Sequence, residues 1–194
     1  IDNIKSQLSI FAATKLATES IAHSYSNIWK MPITMLRFFT AYGPWGRPDM
    51  ALFKFTKAII EGKKMDVYNN GNMYRDFTYI DDIVNSIKSL IRVIPKNTKK
   101  SNSSKIDSLS SVAPFRVVNI GNSNKVKLID FIKEIEKVLG KKAICNYMPL
   151  QKGDVPKTIA NTNLLKKLTK RKPKINFKEG VRKFVEWYLD YYKK

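Results

Sequence analysis

Strands and helices alternate along this chain, which predicts an α/β or α+β fold. Three observations carry that expectation. Long segments show apolar residues at spacings of three and four, short β-rich apolar runs lie between them, and Gly, Pro and Asn cluster at the joints. The 194 residues, 43% of them hydrophobic, suffice for a packed core. No stretch reaches the roughly 20 uninterrupted apolar residues of a membrane-spanning helix.

The first periodic segment predicts a helix over 8–31, with Leu8, Phe11, Ala12, Leu16, Ile21, Ala22, Tyr25 and Ile28 recurring at helical spacing. Pro32 ends it, and 33–39 is too short for a helix and too apolar for an exposed edge, so it reads as a buried strand. Two Gly and two Pro make 41–49 a loop. A helix follows over 50–61, stopped by Gly62. Then come a short strand at 65–68, a turn at Asn69-Asn70-Gly71-Asn72 and a strand at 77–80. Asp81-Asp82 is expected to cap a helix running to about Val93. The Lys-, Ser- and Asn-rich stretch 95–114 reads as an exposed loop. Beyond it the pattern predicts a strand at 115–120, a turn at 121–124, and a helix over 128–139 stopped by Gly140. A short strand at 143–147, a loop at 151–154, a helix over 161–169 capped by Asn161 or Thr162, and a last helix over 177–192 complete the order. Trp29, Phe53, Phe55, Phe131, Phe184 and Trp187 fall at helical spacing and are expected in the core.

Composition narrows the chemistry. There are 36 Lys+Arg against 16 Asp+Glu, a net charge of +20, which is the first electrostatic sign of a nucleic-acid binder. The basic clusters, Lys99-Lys100, Lys141-Lys142, Lys166-Lys167 and Lys170-Arg171-Lys172, are scattered rather than gathered in one stripe. They are read as a Lys-rich solvated surface, with non-specific attraction to polyanions as a consequence. His23 has no Cys or His at ligand spacing and is expected to be structural, as is Cys145 in an apolar strand. A single cysteine makes no internal disulfide, and Ile1-Asp2-Asn3-Ile4-Lys5 lacks a basic region followed by an apolar run. A reducing cytoplasm is therefore expected, without a signal peptide and without a membrane partner. The absence of an initiator Met points to a start inside a longer reading frame. No glycine-rich dinucleotide loop or Walker loop occurs in these residues.

A set of motifs in fixed order is more informative. Phe11-Ala12-Ala13-Thr14-Lys15 lies on the first helix, followed by Leu36-Arg37-Phe38-Phe39-Thr40-Ala41-Tyr42-Gly43-Pro44-Trp45-Gly46-Arg47-Pro48-Asp49-Met50. Next come Tyr74-Arg75-Asp76-Phe77-Thr78-Tyr79-Ile80-Asp81-Asp82, then Val118-Asn119-Ile120-Gly121 and Gly153-Asp154. From residue 7 onwards the chain resembles the second half of the extended short-chain dehydrogenase/reductase (NAD-dependent epimerase/dehydratase) family. It is closest to the nucleotide-sugar 4-epimerases that act on UDP-glucuronate, in capsular polysaccharide biosynthesis.

The resemblance implies a fold: the C-terminal part of a doubly wound Rossmann-type domain (1–48) plus a smaller α/β substrate-binding domain (mostly 49–194). It also implies a chemistry. A Tyr and a Lys four apart share one helix face. The Lys holds the nicotinamide ribose and lowers the Tyr pKa, so that the phenolate takes the proton of a sugar hydroxyl. Lys15 stands at the Lys position, but Phe11 stands where the family has the general-base Tyr. Loss of such a base typically costs 10²- to 10⁴-fold. Phe11 is otherwise read as a core aromatic. By the same resemblance Thr40 would face the sugar, whose carboxylate would accept its hydrogen bond. Arg47 would lie near the sugar or diphosphate, Tyr68 would stack on uracil, Arg75 would pair with the diphosphate, and Asp154 would accept from the uridine ribose. Each has a plainer alternative: Arg75 pairing with Asp76 or Asp82, and Asp154 capping a turn.

The expected activity is that of a UDP-glucuronate 4-epimerase-like enzyme, truncated and inactive alone. UDP-glucuronate and UDP-galacturonate are the implied ligands and NAD the cofactor of the intact family, not held by this chain by itself. The alternatives are half of a split NAD-dependent epimerase that needs an N-terminal partner chain, and a basic polyanion-binding module. A homodimer through the helix carrying Lys15 is implied by resemblance alone. An unpaired edge is expected on the strand at 33–39.

Overall fold

The computed structural model describes residues 7–96 and 107–193. In chain order the elements are α1 (Ile10–Trp29), β1 (Ile33–Phe38), β2 (Thr40–Tyr42), α2 (Ala51–Glu61), β3 (Lys64–Tyr68), β4 (Tyr74–Tyr79), α3 (Ile80–Leu90), β5 (Phe115–Ile120), β6 (Lys125–Lys127), α4 (Leu128–Leu139), β7 (Ile144–Met148), α5 (Asn163–Thr169) and α6 (Phe177–Tyr192). The fold is α/β. β1 pairs in parallel with β5, β3 with β7, and β2 with β4, while β6 adds antiparallel to β4.

The largest core lies between α2, α4 and α6 and the strands β2, β3 and β4. Tyr42 is at its heart, with Phe77, Tyr79 and Phe131 set edge-on to its ring at 5.6–5.9 Å between centroids. Such offset and edge contacts add to the area the rings bury. Burial pushes the Tyr42 hydroxyl pKa well above the usual phenol value, with Tyr79 and nearby carboxylates adding to the shift. α6 presents Val181, Phe184, Val185 and Tyr188 to this core, following its 3.6-residue period. A second cluster joins α3 and α5 to β5, and a third packs α1 residue Ala22 against β1 and β5.

The boundaries of β5, α4 and α6 match the periodicity, and the differences elsewhere have local causes. β2 and β6, three residues each, are too short to show an alternation and form only because β4 offers both edges. β4 starts at Tyr74, so Arg75 and Asp76 are strand residues. The turn at Asn69–Gly71 is a 3-10 turn with Asn69 and Asn70 at positive φ, and its flanking strands go to different sheets. Trp29 is not in the core but 59% exposed. Of the expected exposed loop, 97–106 lie outside the described residues. The rest is partly packed: Pro95, Ala113 and Pro114 are buried and Asp107 pairs with Arg116. Among the described residues β1 has one strand partner, and Phe38 at its end is half exposed.

The expected Asp81-Asp82 cap is also corrected. α3 begins one residue earlier with Tyr79 as a cap that makes no side-chain bond. Asp82 is buried and accepts the backbone N–H groups of Lys174 and Ile175 at 2.9–3.0 Å, tying the segment before α6 onto α3. Asp76 does the same on a larger scale. It is fully buried and accepts the N–H groups of Asn122, Ser123 and Ala160 at 2.8–2.9 Å, with the Thr78 hydroxyl at 3.3 Å. Space at this junction is closed: a Cβ on Gly121 would meet the Ala160 Cβ at 2.3 Å. An Asp76→Ala substitution takes the charged acceptor from the buried Ala160 N–H and the part-buried Asn122 and Ser123 N–H groups, each such bond worth about 1.5–3 kcal/mol. The expected loss is at least about 3 kcal/mol, read as a fall in melting temperature of at least about 6 °C. A drop of less than about 3 °C in thermal unfolding contradicts this role.

Candidate functional site

β4 and β3 bring the sequence-selected residues together through strand alternation. On β3, Met65 and Val67 face the core while Lys64, Asp66 and Tyr68 face outward. On β4, Asp76 points into the Asp76 junction and Arg75 points the other way. The Arg75 guanidinium donates through Nη2 to Asp154 Oδ1 at 2.7 Å and through Nη1 to the carbonyls of Val155 at 2.8 Å and Tyr74 at 3.1 Å. Neither Asp76 nor Asp82 is its partner, because both are occupied by backbone N–H groups. Asp154 accepts the Val155 N–H at 2.8 Å in its own turn, as its plainer alternative has it, and its carboxylate also holds Arg75, a pairing the sequence did not suggest. The 154–158 segment is fixed beside β4 by Tyr74 N–H to the Pro156 carbonyl and Thr158 N–H to the Tyr74 carbonyl.

Thr40, Tyr68, Arg75 and Asp154 line one cavity of about 400 Å³. Its wall includes four polar residues that sequence reasoning did not select: Asp49, Lys54, Asp66 and Gln151. Asp66 had a readable signal, since it shares the outward face of β3 with Tyr68. Asp66 also accepts from the Asn146 side chain at 2.7 Å. Lys54 and Gln151 had none beyond being polar. Met50, Met73 and Phe77 supply an apolar floor.

Arg47 lines a second cavity of about 400 Å³ that shares Thr40 and Met50 with the first and is walled by Phe53, Trp45 and Phe184. The loop between β2 and α2 reaches this position through special backbone. Gly43 has φ 144°, where a Cβ would meet Ile80 at 2.6 Å, and Trp45 has φ 62°. Trp45 is held from outside by ring contacts with Trp187 and Tyr191 at 5.2 and 4.9 Å. Arg47 itself is mostly exposed and pairs with exposed Asp49 at 2.9 Å. An exposed pair contributes about 0–1 kcal/mol, so a ligand anion competes for Arg47 easily.

Phe11 and Lys15 line neither cavity. Phe11 is not a core aromatic: it is 71% exposed on α1, and the Lys15 ammonium lies 5.2 Å from its ring centroid. His23 is structural as expected, bonded to the Ser110 hydroxyl at 2.8 Å and edge-on to Phe115. Cys145 is half-buried against the main core, and burial pushes its thiol pKa up, away from a reactive thiolate. Among the described residues no cluster of His, Cys, Asp or Glu is arranged to hold a metal. No described helix is long and apolar enough to cross a membrane.

Comparison with known proteins places this arrangement. Protein CapI of Staphylococcus aureus is 54% identical over 193 residues, and a probable UDP-glucuronate 4-epimerase of Rhizobium meliloti is 50% identical over 194. The chain spans 58% and 57% of the length of these two relatives. Among solved structures, a tyrosine-to-phenylalanine mutant of the Bacillus cereus UDP-glucuronic acid 4-epimerase superposes with a TM-score of 0.83 at 29% identity. That protein is bound to UDP-4-deoxy-4-fluoro-glucuronic acid and NAD, and the superposition covers 98% of this chain and 56% of the other. The profile of the NAD dependent epimerase/dehydratase family matches residues 2–121, and the chain belongs to that family.

Proposed function

We propose that this chain forms the substrate-binding part of a nucleotide-sugar 4-epimerase whose ligand is UDP-glucuronate or its product UDP-galacturonate. The observation that carries the reading is the single cavity lined by Thr40, Tyr68, Arg75 and Asp154, four residues drawn from four separate stretches of sequence. Arg75 is the cation for the diphosphate, its planar fork matching phosphate oxygens. Asp154 accepts from the ribose hydroxyls, Tyr68 offers a face for uracil, and Thr40 and Arg47 meet the sugar and its carboxylate. Cations at both ends of the ligand suit a molecule that carries a diphosphate and a uronate. The division of labour follows the two parts of the fold, residues 1–48 on the nucleotide-domain side and most of 49–194 on the substrate side. A cytoplasmic location agrees with this substrate and with the lone cysteine.

NAD does not fit the described residues as a complete cradle. Only Lys15 is of the right type, it faces the Phe11 ring, and these 194 residues contain no glycine-rich phosphate loop. Turnover therefore belongs to an assembly in which further polypeptide supplies that loop, whether joined to this chain or separate. Alone, the chain binds sugar nucleotide and does not turn it over. The apolar exposure of α1, where Ile10 is 86% and Ile28 65% exposed, favours such an assembly.

Two outcomes test the proposal. Arg75→Ala should weaken UDP-glucuronate binding by about 1.5–3 kcal/mol, which is about 10- to 150-fold. Titration calorimetry measures it, and an unchanged affinity reduces Arg75 to a structural partner of Asp154. In an assembly that supplies the glycine loop, Phe11→Tyr places a phenol one turn before Lys15, where the ammonium lowers its pKa. Conversion of UDP-glucuronate to UDP-galacturonate should then rise by at least about 10²-fold. Equal rates for the Phe and Tyr proteins would place the base elsewhere.

A further inference from the structure

Arg171 and Lys172 of the Lys170-Arg171-Lys172 cluster, which the sugar-nucleotide cavity leaves unused, border a separate small cavity of about 160 Å³ together with Lys166. Lys170 ends α5 in the left-handed conformation at φ 57°, and this turns the chain back so that Arg171 and Lys172 border the same hollow as Lys166. No ion pair reaches Lys166, Arg171 or Lys172 among the described residues. The opposite wall is polar and fixed. Asn122 and Ser123 are held there by their N–H bonds to Asp76, and the Ser123 hydroxyl is hydrogen-bonded to that of Thr162. Leu165 and Pro173 close the sides. The C-terminal dipole of α5 offsets about half a charge. Most of the charge of three neighbouring cations on a rigid polar wall is left uncompensated.

We infer that this hollow is a second anion site, for the phosphate group of a small phosphate-bearing molecule, distinct from the sugar-nucleotide cavity. Its charge sets the ligand class: three cations around one small hollow call for a compact, multiply charged oxyanion. A phosphate carries about −1.5 to −2 at neutral pH and matches the cations around it. The Ser123 hydroxyl donates to the Ala160 carbonyl at 3.0 Å, so the donors offered to the phosphate oxygens are those of the three cations. The Lys172-Pro173-Lys174 run ends on the Asp82 carboxylate and the Asn122-Ser123 turn ends on Asp76, so the cavity is braced on both sides by buried carboxylates.

The test is a titration of the full chain with inorganic phosphate, followed by amide NMR shifts at about 0.15 M ionic strength, where exposed charges are screened beyond about 8 Å. Saturable shifts confined to Asn122, Ser123, Thr162 and 166–172 are expected. The double variant Arg171→Gln/Lys172→Gln should raise the dissociation constant at least about tenfold. The control Lys133→Gln/Lys137→Gln on α4 should leave it within about twofold. Arg75→Ala separates this inference from the proposed function. Phosphate binding that survives Arg75→Ala supports a second site, and binding abolished by it places the phosphate in the sugar-nucleotide cavity. Shifts that never saturate, or that fall equally in the α4 control, overturn the inference in favour of general surface charge.

Discussion

Asp76 is the constraint from which the site follows. A carboxylate with no exposed surface accepts three backbone N–H groups, two from the turn after β5 and one from Ala160, which lies 84 residues further along the chain. A buried carboxylate is costly unless each of its oxygens is satisfied, and here the backbone satisfies it without a cation. That arrangement has a geometric consequence. With Asp76 committed inward, strand alternation turns its neighbour Arg75 outward, toward the cavity. With Ala160 pinned to Asp76, the preceding segment runs along β4 and delivers Asp154 to the Arg75 guanidinium. Asp82 repeats the device at the start of α3, anchoring the segment that leads into α6.

The acids Asp76 and Asp82 near Arg75 are thus structural, and its ion-pair partner Asp154 comes from far away in sequence. This separates the charge that holds the fold from the charge offered to a ligand. Arg75 keeps a carboxylate partner at 2.7 Å while it waits, and Arg47 keeps Asp49 at 2.9 Å. Both pairs reach solvent, so the diphosphate and uronate of the proposed ligand would compete for them without leaving a buried ion unpaired. The net charge of +20 adds a long-range attraction toward any anionic ligand but carries no selectivity.

Much of this was legible in the sequence, and the rest was hidden for definable reasons. α4 and α6 were readable because each presents a continuous apolar face and a clear stop, and β5 because all of its residues are buried. Thr40, Tyr68, Arg75 and Asp154 were reached by resemblance and do share a cavity. Phe11 reads as a core aromatic yet is exposed, because helical spacing places residues on a face without saying whether anything covers it. Asp82 reads as a cap because a helix-start signal looks the same as a carboxylate that collects distant N–H groups. Asp76 carried no local mark at all, since its three partners are at least 46 positions away. β2 and β6 are defined by their neighbours rather than by their own residues.

A structure of this chain with UDP-glucuronate tests the central claim most directly. The diphosphate is expected within hydrogen-bonding distance of Arg75, the uridine ribose donating to Asp154, and the Asp76 contacts to Asn122, Ser123 and Ala160 unchanged. A diphosphate found beside Lys166 and Arg171, with the cavity at Arg75 filled only by water, would contradict it.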